Sequence, residues 1–367
     1  MQSPVISNNE ELNKYFSLLC KNNFPEFILK YIDSPVLKRL SGVGHFCGCD
    51  YTKLEFFDVK YWYSRLDHSI ACACIAWHLT KDENQTLLAL FHDCGTPAFS
   101  HCVDYMLQDI ETQESAEKNI YDVINNDVPT LQLLKNDNID INIFKNIKNF
   151  PIVENKKPKL CVDRLEGVLS TCLVWRKTWE LSDIESFYDD IIVGYNENQE
   201  QEISFKNINS CEKFFEGILE YSISMQKNED KIYMYLVGDI LKQATNYKLF
   251  KFEDLYKLSE NEILNLIKNS NNNKLVEMLD VFMNLTNIGR SDSPVNDVYS
   301  ISLECKKRYV NPFIYGEHQQ GRASELSKYC NELLNQYLNY EDTKYAYIKE
   351  LTMNNSKEKT KEEELVK

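Results

Sequence analysis

The sequence predicts a mainly α fold with a small C-terminal α+β appendage. Three observations lead there. Apolar residues recur at helical spacing through most of the 367 residues. Strand-like alternation is confined to residues 202–205 and to VYSISLECKKRYV at 298–310. An apolar share of 43 %, with 22 Tyr and 18 Phe, supplies a packed core and excludes global disorder.

Residues 69–80 read as one helix and 84–93 as the next, with Asp82 or Asn84 available as its N-cap. Gly95 and Pro97 break the chain before a third helix over 98–107. Further helical patterns cover 114–125, 162–179, 210–225, 231–245 and 273–285. The stretch 125–159 is polar, rich in Asn and Lys, and punctuated by Pro129, Pro151 and Pro158. It reads as an insertion between core helices, with a short helix or two of its own. The expected organisation is a core over 1–250, an appendage over 251–353, and a charged tail over 354–367 that is a solvated helix end or disordered.

The charge balance narrows the partners. Against 56 acidic residues stand 41 basic ones, a formal charge of −15, which disfavours nucleic acid and anionic membrane and favours a small substrate with local phosphate contacts. No apolar run approaches the roughly 20 residues needed to span a bilayer, and the first residues lack a secretory pattern, so a cytoplasmic protein is expected. Twelve Cys are scattered along the chain, several in apolar helical stretches, as small hydrophobes rather than a disulfide framework. His45, Cys47 and Cys49 form the one Cys-rich cluster, but no second pair follows at zinc-finger spacing.

Chemistry concentrates between positions 65 and 163. Arg65-Leu-Asp-His68 opens a helix, His92-Asp93 closes another just before the Gly/Pro break, and Asp163 begins a third within LCVDRLEGVLS. Imidazoles and carboxylates at helix ends suit a borderline or hard divalent cation: nitrogen and anionic oxygen donors on rigid supports.

This pattern resembles the HD-domain phosphohydrolase superfamily, whose ligands read H…HD…D on a helical bundle. Here the spacing is 24 from His68 to His92 and 70 from Asp93 to Asp163. RLDHS and HDCGTPAFSHCVD are similar to the corresponding motifs of the deoxynucleoside triphosphate triphosphohydrolase (dGTPase-like) branch, and SPVLKRLSGVGHF resembles the segment before its first ligand. KKRYVNPFI followed by RASELS is similar to a strand and loop of bacterial HD hydrolases. The resemblance implies an HD-domain bundle with one divalent metal ion (Mn, Mg, Co, Fe, Ni or Zn) on His68, His92, Asp93 and Asp163. It implies that His101 is the catalytic histidine, oriented by Asp104 three positions later. Arg65 and Arg164 would clamp phosphate oxygens, and His45 falls where the family inspects the sugar. It also implies a homo-oligomer with an allosteric nucleotide site.

Three positions depart from that pattern. Gln113 replaces a second active-site histidine; it can hydrogen-bond phosphate but cannot shuttle a proton. Thr96 stands where a histidine is frequent, and Gly167 where an aromatic often follows the last Asp. The expected activity is hydrolysis of a deoxynucleoside triphosphate to deoxynucleoside and inorganic triphosphate. Hydrolysis of a nucleoside monophosphate or a cyclic or signalling nucleotide is an alternative, as is a nucleotide sensor with little turnover.

Overall fold

The computed structural model describes residues 4–352, so the tail expected at 354–367 lies outside the described residues. Helix α1 (Glu10–Leu19) starts from Asn9, whose side chain accepts hydrogen bonds from the Glu11 and Leu12 N–H groups. The central rod is α2 (Arg65–Thr80). Ser64 and Asp67 cap its first turn reciprocally, and Lys81 ends it in a left-handed conformation. Its middle, from Ile70 to Ala76, is buried on every side. Small Ala and Cys side chains there let α1, α3 and α5 approach closely.

Helix α3 (Glu83–Phe91) begins at the expected cap, Asp82, and lies along α2. Next come α4 (Cys102–Met106), α5 (Val162–Ser170), α6 (Ile208–Ser224) and α7 (Asn228–Asn246). The C-terminal third adds α8 (Glu260–Lys268), α9 (Asn273–Asn284) and α10 (Lys328–Leu338). Two short helices, Ile120–Asn125 and Val128–Asn136, mark the expected insertion and the approach to it.

Two small sheets complete the chain. In the first, β1 (Ile191–Tyr195) pairs antiparallel with β2 (Gln201–Phe205). β2 then pairs in parallel with a strand from the C-terminal third, β5 (Phe313–Tyr315), which pairs antiparallel with β6 (Gln320–Arg322). In the second, β7 (Tyr345–Thr352) lies between β3 (Gly289–Ser291) and β4 (Val298–Ile301). One apolar core runs through all of these parts, from Leu12 to Leu351.

Mainly α holds, and four element expectations are corrected. The helix expected over 98–107 starts only at Cys102, because Phe99 and Ser100 take positive φ values of 64° and 45°. The helix expected over 114–125 starts at Ile120. Before it, the Asp109 carboxylate collects the Thr112 and Ser115 hydroxyls and the N–H groups of Thr112, Glu114 and Ser115, folding the segment into a loop. The helix expected over 162–179 widens into a π turn over Thr171–Trp175 and stops there. The strand expected over 298–310 ends at Ile301. Beyond it, Lys306 and Lys307 reach the Thr112 and Leu338 carbonyls, which draws this segment across the molecule instead of along a sheet.

Candidate metal centre

Three helices deliver one cluster of donors. His68 sits in the first turn of α2, His92 and Asp93 follow the last turn of α3, and Asp163 is the second residue of α5. The two imidazole Nε2 atoms face each other at 3.1 Å. His68 Nε2 stands 3.3 Å from Asp163 Oδ1 and 3.7 Å from Asp93 Oδ2. His92 Nε2 stands 3.5 Å from Asp93 Oδ1 and 3.7 Å from Asp163 Oδ1.

Each imidazole is turned so that Nε2 faces inward. His92 Nδ1 is held by the Ala89 carbonyl at 2.7 Å. His68 Nδ1 is held by Glu166, a fully buried carboxylate that also accepts from Tyr15 at 3.0 Å and Tyr63 at 2.6 Å. Glu166 was not singled out in the sequence. Its signal is the spacing Asp163-x-x-Glu166, which puts both carboxylates on one face of α5. Burial alone would lower the pKa of each histidine. The surrounding carboxylates outweigh it, Glu166 first for His68 and Asp93 first for His92, and both are pushed up to about 10. The same histidines, with Arg65, hold Asp93 well below the usual carboxylate range against its burial. The place therefore favours positive charge. Two oriented imidazole nitrogens, each 3.3–3.7 Å from both carboxylates, suit a divalent cation.

A small cleft opens beside Asp93, lined by Arg65, Asp93, Ser100, His101, Gln113 and Glu117 among others. Arg65 is buried, donates to Asp93 at 2.8 Å, and donates through Nε to Ser100 at 3.1 Å. His101 immediately precedes α4, and its Nδ1 meets Asp104 at 3.0 Å. Asp104 is fixed in turn by the Ala116 N–H at 2.8 Å. Burial lowers the His101 pKa below its ordinary value, and the Asp104 contact opposes that shift. A neutral imidazole with its proton toward Asp104 leaves Nε2 facing the cleft. Gly95 permits the close turn between the two groups, since a Cβ there would stand 2.1 Å from the Lys118 carbonyl oxygen.

Arg308 is the second residue that sequence reasoning missed. It donates to Gln113 Oε1 at 2.6 Å and stands 3.5 Å from His101 Nε2. Its place in KKRYV, read as strand, gave no sign of this contact across the chain. Arg164, by contrast, is not turned toward the cleft. Its guanidinium holds the loop over 154–159, through the Lys159 and Asn155 carbonyls, the Asn155 side chain and Glu154. Following Asp163 directly on the helix, it points away from the face that Asp163 and Glu166 share. His45 stacks on His68 with ring centroids 4.4 Å apart, and its buried Nδ1 has no hydrogen-bond partner among the described residues. Burial first, then the charge on His68, keeps its pKa well below the usual histidine value.

No protein-family profile matches the chain. Over 270 residues it is 23 % identical to YdhJ, an uncharacterized protein of Bacillus subtilis (strain 168), covering 72 % of this chain and 78 % of that one. Solved structures give the fold. A phosphohydrolase from Bacteroides thetaiotaomicron superposes with a TM-score of 0.59 at 14 % identity, over 86 % of this chain and 93 % of that one. This chain shares that protein's fold. A hypothetical protein from Aquifex aeolicus superposes with a TM-score of 0.54 at 15 % identity, over 88 % and 92 % of the two chains. No described helix is long and apolar enough to cross a membrane.

Proposed function

We propose that this chain is a metal-dependent phosphohydrolase acting on a nucleotide, with a deoxynucleoside triphosphate, cleaved to deoxynucleoside and inorganic triphosphate, as the leading substrate. The observation that carries the reading is one constellation: four clustered cation donors, of which Asp93 borders a cleft also lined by Arg65 and the His101–Asp104 pair, with Arg308 beside His101. The fold shared with the Bacteroides phosphohydrolase supports the reaction class.

His68, His92, Asp93 and Asp163 would hold the cation, which supplies Lewis-acid polarisation of a phosphoryl oxygen and acidifies water. The chain's own groups do the rest. His101, neutral at pH 7 and aimed by Asp104, takes a proton at Nε2 from the attacking water and can then pass that proton to the leaving oxygen. Arg65 and Arg308 neutralise charge as it builds on the phosphate. Gln113 holds Arg308 in place and can hydrogen-bond a phosphate oxygen. His45, stacked on His68, would meet the sugar or base on this reading.

The test is a turnover screen of the purified chain with Mn²⁺, Mg²⁺ and Co²⁺ against the four dNTPs, the four NTPs, monophosphates and cyclic nucleotides, with products resolved by chromatography. Deoxynucleoside plus triphosphate, lost in His92→Ala/Asp93→Ala, establishes the reading. A different phosphate product keeps the reaction class and replaces the substrate. Nucleotide binding with no turnover under any metal points to a sensor instead.

A further inference from the structure

One cysteine of α2 adjoins the cation donors. Cys72 follows His68 by one helical turn, and helical side chains lean toward the N-terminus, so its thiol lies back against the imidazole. Its Sγ stands 3.7 Å from His68 Nε2 and 3.9 Å from His68 Nδ1. One donor atom each from His68, Cys72 and His92 lie within 4.8 Å of one another. The thiol is fully buried, and the His68 nitrogens are its only hydrogen-bond-range contacts among the described residues.

Cysteine in an apolar helix ordinarily serves as a small hydrophobe. Cys74, two residues further along α2, meets Cys20 in that way. Cys72 instead faces an imidazole with no nitrogen to spare for it. Nδ1 is taken by Glu166, and Nε2 is the atom turned toward His92 and Asp163. The separation itself fits shared coordination. A cation about 2.1 Å from a histidine nitrogen and about 2.3 Å from a thiolate, at a near-tetrahedral angle, holds nitrogen and sulfur about 3.6 Å apart. The observed Sγ to Nε2 distance is 3.7 Å.

We propose that Cys72 is a fifth donor of the metal centre, its sulfur joining His68, His92, Asp93 and Asp163, and that it biases the centre toward Zn²⁺, Co²⁺ or Fe²⁺ over Mn²⁺ or Mg²⁺. As the sulfur takes the cation, the thiol proton leaves to solvent and no electron is transferred. This role for Cys72 rests on the other four residues being cation donors. Cys161 also lies near one of them, grouped with Glu154 and Asp163. There, however, the Arg164 guanidinium already meets Glu154 and opposes a cation, which makes Cys161 the control.

The test is the absorption spectrum of the full-length chain titrated with Co²⁺, with bound Co²⁺ counted by elemental analysis after dialysis. Wild type and Cys161→Ala are expected to bind one equivalent and to show a near-ultraviolet thiolate-to-cobalt charge-transfer band. In Cys72→Ala the band is expected to vanish. Zn²⁺ affinity of that variant, measured by chelator competition, should fall by about 10–100-fold, the loss that even an outer partner of a ligand causes, and Mn²⁺ affinity by less. One bound Co²⁺ with no such band, a band that survives Cys72→Ala, or equal losses for Zn²⁺ and Mn²⁺ would overturn the proposal, leave the four-donor centre standing and return Cys72 to core filling. If wild type binds no Co²⁺ at all, the donor reading fails and Cys72 falls with it. Should Cys72→Ala fail to fold, zinc-edge X-ray absorption of Cys161→Ala decides: a sulfur scatterer at about 2.3 Å supports Cys72, and nitrogen and oxygen scatterers alone overturn it.

Discussion

The wall that gathers His68, His92, Asp93 and Asp163 rests on three helices packed through the core, two of them capped by side chains. The facing wall rests on a five-residue helix, a loop and an irregular C-terminal segment. On the first wall each imidazole has its second nitrogen occupied, and the carboxylate behind His68 is itself held by two buried tyrosines. On the second, His101 is 36 % exposed, Phe99, Ser100 and Gln113 take positive φ values, and Arg308 arrives from a position 195 residues beyond Gln113. The difference separates two tasks. On the proposed reading the cation donors are set before any ligand arrives, whereas the groups that would meet substrate lie on backbone that can adjust at small cost.

That contrast can be broken from either side. The largest effect is expected at His101: His101→Ala should lower kcat by about 10²–10⁴-fold while metal content stays at the wild-type level, since proton transfer is lost and the donors are untouched. Loss of metal along with turnover would mean that the two walls are not separable. The pH profile sharpens the same point. His101 acts neutral, so kcat at saturating metal should fall as pH drops through a pKa below the ordinary 6.5. The Asp104 contact raises that pKa, so Asp104→Asn should move the acid limb to still lower pH while lowering kcat. A limb that stays in place would remove Asp104 as the partner.

An intermediate effect is expected behind His68. Glu166→Gln should weaken metal binding by about 10–100-fold, measured by competition with a chelator, because the imidazole loses the carboxylate that aims and charges it. The smallest effect is expected on the adjustable wall. Arg308→Ala removes one charge-assisted hydrogen bond, which is worth about 1.5–3 kcal/mol, and should reduce kcat/KM by about 10–100-fold. Arg164→Ala, acting on the 154–159 loop, should leave kcat/KM near wild type. Equal losses in the two arginine variants would return Arg164 to the site.

Much of the first wall was legible in the sequence through the motifs whose resemblance names its donors, and two of its helices follow local signals. The Ser64 cap fixes where α2 starts, and the Asp82 cap fixes where α3 starts. Glu166 could have been read too, three residues after Asp163. The second wall was hidden for physical reasons. Positive φ at Phe99 and Ser100 is stabilised from afar, by Glu260, and helical spacing in PAFSHCVDYML gives no hint of it. Arg308 reaches Gln113 only because Lys306 and Lys307 find carbonyls on remote segments, which no local alternation encodes. The parallel pairing of β2 with β5 is likewise a long-range contact, beyond what strand propensity can show.

The central claim is that His68 and His92 bind one cation through their Nε2 atoms, and electron spin echo modulation of bound Mn²⁺ tests it most directly. Wild type, loaded with substoichiometric Mn²⁺, should show coupling to two imidazole ¹⁴N nuclei, falling to one in His92→Ala and persisting unchanged in His101→Ala. Mn²⁺ with no imidazole coupling, or coupling that vanishes in His101→Ala and survives in His92→Ala, would contradict the account.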